Sequence, residues 1–213
     1  MAIDRLIILG KSDATITMIL DNLDSQRQYP LIQLINNLSL PIEKPFDHPA
    51  FEITIVDSYL PAPADALLLG VFQAEAKQKI VAAFWQPIGQ YISLTHRSAS
   101  ISATTRVGQG CLINSHVSIA AQSRIGHFVS INRNASVGHH TVVHDFTTIN
   151  PGCAIAGNVT IGRGAQIGMG ANVLDGVSIG ANTIIGAGAV VTRSIPDNVV
   201  AYGNPARIVR QRD

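Results

Sequence analysis

Starting at Ile101, every sixth residue is Ile or Val for sixteen consecutive positions: Ile101, Val107, Ile113, Ile119, Ile125, Ile131, Val137, Val143, Ile149, Ile155, Ile161, Ile167, Val173, Ile179, Ile185 and Val191. A helix buries a face every 3.6 residues and a strand every two, so a period of six excludes both as the repeating unit. Four residues after each of the first fifteen stands a small or β-branched residue: Thr105, Cys111, Val117, Ser123, Val129, Ala135, Thr141, Thr147, Cys153, Val159, Ala165, Ala171, Val177, Thr183 and Ala189. Two side chains per hexapeptide therefore point inward, and the pattern predicts a hexapeptide β-helix. The residue after each Ile or Val is often Gly or Asn, as at Gly108, Asn114, Gly126, Gly138, Asn150, Gly162, Gly180 and Gly186. These are read as the left-handed residues of tight corners.

Two inward side chains per six residues make a thin core for the backbone they must order, so a further buried face, and hence an oligomer, is expected. The repeat claims the second half of 213 residues. With 15 basic and 14 acidic residues and no basic run, nothing suggests a nucleic-acid or lipid surface, and the ligand should be a small molecule. No apolar stretch reaches membrane-spanning length and the chain enters an apolar strand without a charged leader, which points to the cytoplasm. Cys111 and Cys153 fall in the inward register and read as small core residues of a reducing compartment.

The first ninety residues alternate differently. Leu6 to Leu9 reads as a strand into a turn at Gly10, with Asp13 placed to cap a helix over Ala14 to Leu23. Apolar runs at 31–35, 51–56 and 67–69 follow, the last ending at Gly70 before a helical segment at 74–84. Such alternation implies a small parallel α/β domain with its crevice at the strand carboxyl ends, near Gly10, Asn36 and Gly70. A single glycine at Gly10 reads equally as a structural turn or a ligand loop.

Five of the seven histidines lie on the repeat: His116, His127, His139, His140 and His144. If three hexapeptides make one coil, residues eighteen apart stack in columns. His139 then stands between Ala121 and Gly157, while Asn114, Asn132 and Asn150 form a column that reads as an amide ladder.

The segments SLTHRSASI, INRNASVGHHTVVHDFTTINPG, AIAGNVTIG and IPDNVVAYGNPARIV resemble the bacterial sugar acetyltransferases of the sialic-acid and bacillosamine-precursor type. The resemblance covers nearly the whole chain. It implies a mainly β fold: a left-handed parallel β-helix preceded by a small Rossmann-like α/β domain, assembled as a homotrimer that uses acetyl-CoA and no metal. The domains it implies are residues 1–90 for the acceptor, 91–195 for the coil and 196–213 for a tail closing over coenzyme A. The reaction it implies is acetylation of an amino or hydroxyl group of a sugar, in particular a nucleotide-linked amino sugar, in surface-glycan biosynthesis.

By the same resemblance His139 matches the general base, which takes a proton from the acceptor as it attacks the thioester. Asn132 matches a helper near the acceptor, and the backbone N–H of Gly157 matches the donor to the thioester oxygen. Gly168, Met169 and Ala187 match the pantetheine groove between subunits. Pro205 and Arg207, within Gly-Asn-Pro-Ala-Arg, match the closing element, with Arg207 near the phosphates; Arg207 also reads as a solvated tail residue. Gly10, Lys11, Ser12, Asn36, Asn37 and Gly70 are the expected acceptor pocket.

Three positions depart from the family pattern. His140 follows the base where an acidic residue usually holds the Nδ1 proton, so it is counted with the catalytic set. Gly10 to Thr15 lacks the usual histidine, and Asn36 and Asn37 replace an acidic pair. A rival reading takes His139 and His144 as two of the three zinc ligands of a γ-class carbonic anhydrase, but stacking puts no histidine in the third position. The pattern also admits an O-acetyltransferase acting on sialic acid, or a coil that serves as a non-catalytic scaffold.

Overall fold

The computed structural model of the protein describes residues 5–10, 12–26, 31–35, 52–56, 62, 64–84 and 86–212. Four parallel strands, β1 (Leu6–Leu9), β2 (Leu31–Ile35), β3 (Glu52–Val56) and β4 (Ala66–Leu69), lie in the order β3-β2-β1-β4. Helix α1 (Asp13–Gln26) follows β1, and α2 (Ala74–Ala83) follows β4. All four residues of β1 are fully buried, as a central parallel strand covered on both faces requires. The strand order reverses between β1 and β4, which places the crevice of the domain where Gly10 meets Gly70.

The coil begins at Leu94–Thr95 (β5) and runs through two-residue strands to Val190–Val191 (β21). Each of the sixteen repeat Ile and Val residues is the second residue of a strand. Each strand pairs in parallel with the one three strands on, so that Ile131 stands opposite Ile113 on one side and Ile149 on the other. One coil is therefore eighteen residues and the prism has three faces. The face of Leu94, Leu112, Ser130 and Thr148 is covered by the α/β domain. A second presents exposed small residues, Ser118, Ser136 and Ala154. A third presents Arg106 and Arg124, side by side in register.

The corners differ from expectation. The left-handed residue is the third after each repeat Ile or Val, not the first: Gly110, His116, Gln122, Phe128, Asn134, His140, Phe146, Gly152 and Asn158 all have φ between 55° and 70°. Glycine at the first position answers crowding instead. A Cβ on Gly138 would stand 2.5 Å from the Gly157 nitrogen, and one on Gly168 2.5 Å from the Ala187 nitrogen. The inward fourth position also does more than fill space. Thr105, Ser123, Thr141 and Thr147 each donate a hydroxyl to a carbonyl of the next coil at 2.8–3.1 Å. Cys111 and Cys153 approach the Gly126 and Gly168 carbonyls in the same way. Both thiols are buried and unbridged, and burial pushes Cys111 up to about 11, which keeps it from acting as a nucleophile at neutral pH.

The two domains share one packed interface. Lys77 of α2, entirely buried, donates from Nζ to Phe128 O (3.0 Å), Ser130 Oγ (2.8 Å) and Thr148 Oγ1 (3.2 Å). Desolvation lowers its pKa to about 7. Beside it Phe128 stacks on Phe146 and meets the edge of Tyr91, with both pairs of ring centroids 5.0 Å apart. The chain ends in a hairpin rather than a separate tail: β22 (Val199–Gly203) continues the covered sheet beside the Ile184–Ile185 strand, and β23 (Ala206–Gln211) pairs back antiparallel. Arg212 ties this end to Glu75 of α2. Among the described residues no helix is long and apolar enough to cross a membrane.

Candidate active site

His139 sits on the corner between the small-residue face and the arginine face, where the backbone turns from the Ser136–Val137 strand to the Val142–Val143 strand. Eighteen-residue stacking puts Gly157 beside it, and the contact is close. A Cβ added to Gly157 would stand 2.6 Å from His139 Cε1 and 2.8 Å from Nε2. The ring therefore lies over Gly157 with the Nε2 edge toward it, an arrangement only glycine permits. The Gly157 carbonyl accepts from Gly176 N–H at 3.1 Å, whereas its own N–H donates to no group among the described residues.

His140 Nδ1 lies 3.1 Å from His139 Nδ1, the two rings nearly perpendicular at 85°. Both are exposed. Asp175, one coil beyond Gly157, accepts from Asn158 Nδ2 at 3.2 Å and brings Oδ1 within 3.0 Å of the space above Gly157. Asp175 was not among the expected site residues. The stacking rule that joined His139 to Gly157 reaches it one step further on.

The other expected residues gather on two further places. Asn132 lies on the corner between the covered and small-residue faces. It is buried, and its Oδ1 accepts from Asn114 Nδ2 at 3.0 Å, while Asn114 Oδ1 accepts from Asn22 Nδ2 of α1 at 2.7 Å. The expected asparagine ladder is thus partly formed. Asn150 leaves it to donate to Ile167 O. Gly168, exposed Met169 and Ala187 follow on that same corner, tied by the Gly188 N–H to Met169 O bond of 2.8 Å. The hairpin tip with Pro205 and Arg207 continues from Tyr202, whose Cβ packs on Gly186. Arg207 donates to Ala206 O and is otherwise exposed.

At the sheet end of the α/β domain, Gly10 has φ 90° and donates to Ile35 O, Ser12 N–H donates to Gly70 O, and Gly70 N–H donates to Leu9 O. A Cβ on Gly70 would strike the Gly10 carbonyl oxygen and stand 2.9 Å from Ile8 Cγ2. Gly10, Ser12 and Gly70 therefore form one tight cradle; Lys11, Asn36 and Asn37 lie outside the described residues.

Within one chain, then, His139 and Gly157, the expected base and oxyanion donor, share one edge of the small-residue face, and the expected cofactor positions line the other. Two concave surfaces lie on the arginine face, one around His144, Arg106 and Arg124 and one around His144, Arg163 and Asp197. His139 and His144 occupy successive corners, and no three His, Cys, Asp or Glu side chains converge among the described residues.

The chain is thus a prismatic coil of hexapeptides with an α/β domain docked on one face and a histidine over an unpaired glycine N–H. Residues 140–173 and 158–193 match the bacterial transferase hexapeptide (six repeats) model. The chain is similar over 99% of its length, and 99% of the other, to a mutant of perosamine N-acetyltransferase from Caulobacter crescentus in complex with CoA and GDP-perosamine, at 26% identity and TM-score 0.82. It shares its fold with the acetyltransferase domain of PglB from Neisseria gonorrhoeae in complex with acetyl coenzyme A (24% identity, TM-score 0.83, 96% and 98% covered). The same holds for WeeI from Acinetobacter baumannii (22%, TM-score 0.76, 96% and 100% covered). No curated protein matches by sequence.

Proposed function

We propose that the protein transfers the acetyl group of acetyl-CoA to an amino group of a nucleotide-linked sugar in the cytoplasm, for surface-glycan synthesis. The observation that carries this reading is His139 Nε2 lying over Gly157, whose N–H is unpaired. As the neutral amine attacks the thioester carbonyl and the C–N bond forms, its proton passes to His139 Nε2. Negative charge gathers on the carbonyl oxygen, which accepts the Gly157 N–H. Collapse re-forms the carbonyl, breaks the C–S bond and returns the proton from the imidazolium to the departing thiolate. A positioned base contributes about 10² to 10⁴ and an oxyanion donor about 10² to 10³ in rate.

The site is completed by neighbouring copies. Three prisms that turn their small-residue faces, Ser118, Ser136 and Ala154, toward a common axis can approach closely. In that ring the His139 edge of one copy meets the Asn132 edge of the next. Base and oxyanion donor then face Gly168, Met169 and Ala187, with Pro205 and Arg207 at the phosphate end, and the Gly10–Ser12–Gly70 cradle holds the acceptor's nucleotide. Likeness to the perosamine enzyme, which was captured with CoA and a nucleotide-linked amino sugar, supports the acceptor class.

The test is coenzyme A release from acetyl-CoA with a panel of nucleotide-linked amino sugars and free sialic acids. Turnover of a nucleotide-linked amino sugar that persists with chelator and collapses in His139→Ala is expected. Turnover of sialic acids alone would move the acceptor to a hydroxyl. Zinc-dependent bicarbonate formation would replace the reading altogether. Sedimentation should give a trimer, and a monomer with undiminished acetyl-CoA affinity would overturn the shared site.

A further inference from the structure

A histidine acts as a base through Nε2 only if the proton of the neutral ring is on Nδ1, and which nitrogen carries it is set by what the other one meets. Here the partner of His139 Nδ1 is the Nδ1 of another imidazole, 3.1 Å away. Two protonated nitrogens cannot face each other at that distance, so one Nδ1 donates and the other accepts. Gly157 settles which. With His139 Nε2 over Gly157, where an acceptor amine must deliver its proton, the productive pair is Nδ1–H on His139 and bare Nδ1 on His140.

We propose that His140 is a positioning residue, an uncharged acceptor that holds the His139 Nδ1 proton and so keeps Nε2 free. The inference rests on His139 being the base of the proposed transfer. The backbone favours this use. His140 occupies the left-handed corner position at φ 56°, with its N–H anchored to Ala121 O at 3.0 Å. The residues one coil to either side, Gln122 and Asn158, are neutral. Asp175, on the neighbouring column, is engaged by Asn158. When His139 takes up the substrate proton, its Nδ1–H becomes a charge-assisted donor to His140, so the bond strengthens as charge develops.

The left-handed position makes the test clean, because Gly and Asn are the residues that adopt it most readily. His140→Gly removes the acceptor without straining the coil. It should lower kcat by about 10- to 100-fold, the effect of losing a partner that orients a functional histidine, with acetyl-CoA KM and melting temperature unchanged. His140→Asn, which restores a neutral acceptor oxygen, should recover most of the loss. Nitrogen NMR of the His139 ring should show Nδ1 protonated in the native enzyme and the proton redistributed to Nε2 in His140→Gly. If His140→Gly turns over at the native rate, or if its His139 tautomer is unchanged, the proposal falls. His139→Ala separates the two claims: an inactive His139→Ala beside a fully active His140→Gly overturns only the positioning role, whereas an active His139→Ala overturns the base itself.

Discussion

Two corners of the same prism carry histidines and use them in opposite ways. On the His144 corner the side chains close the backbone: His127 Nδ1 accepts from Gln109 N–H at 2.9 Å, Asp145 Oδ1 accepts from His127 N–H at 2.8 Å, and Asp197 Oδ1 accepts from Ala181 N–H at 2.7 Å. Three amides of this corner, those of Gln109, His127 and Ala181, are thus sealed by a residue one coil on. On the His139 corner the same place is held by Gly157, which has no side chain to seal the corner before it, and whose own amide Asp175 leaves uncapped. What sets the His139 corner apart is an imidazole lying directly over an open amide with no side chain between them, the feature on which the proposed transfer rests.

That contrast can be broken most severely at its centre. His139→Ala should lower kcat by about 10² to 10⁴, while His127→Ala, the same change on the sealed corner, should leave kcat unaltered. A smaller effect is expected from Gly157→Ala. The new methyl stands 2.6 Å from the His139 ring and must push it aside; a displacement of that size costs about 10² in rate. The melting temperature should barely move, since the colliding group is an exposed side chain.

The sealed corner gives the reverse signature. Asp145→Ala removes the cap on His127 N–H and the exposed ion pair with Arg163 at 3.1 Å. It should cost about 1 kcal/mol, nearly all from the cap, because exposed pairs contribute little. Calorimetry should record this as a lowered melting temperature with kcat unchanged.

Lys77 extends the comparison to pH. Its pKa is about 7 in the folded protein against an ordinary 10.5, lowered by burial, so between those values the unfolded chain holds the extra proton. Stability from this group therefore rises as pH increases from about 7 to 10.5 and is flat below. Lys77→Met should remove that rise from the pH dependence of urea unfolding.

The inward positions were legible because each repeat makes the same demand: a β-branched residue in the strand and a small one at the corner. The stacking of His139 on Gly157 followed from the period once three hexapeptides were taken to make one coil. The corner chemistry did not. Glycine at the first corner position looked like a left-handed residue, yet it is excluded volume against the next coil that selects it, while His140 and Phe128 occupy the left-handed sites. Lys77 was illegible for another reason. It recurs with Ala74 and Ile80 on the buried side of α2, but its acceptors, Phe128 O, Ser130 and Thr148, lie more than fifty residues away. Its signal, a lysine on an otherwise apolar helical face, has meaning only once the partner face is known. The hairpin end likewise reads as a tail until its pairing with the Ile184–Ile185 strand is seen.

The eighteen-residue rung has a consequence for how such a chain can change over time. Inserting or deleting one hexapeptide between His139 and Gly157 would rotate everything beyond it by a third of a turn and move Gly157 to a different edge from His139. Between those two residues whole coils alone preserve the alignment, so this stretch of the coil can change in length only in steps of eighteen residues.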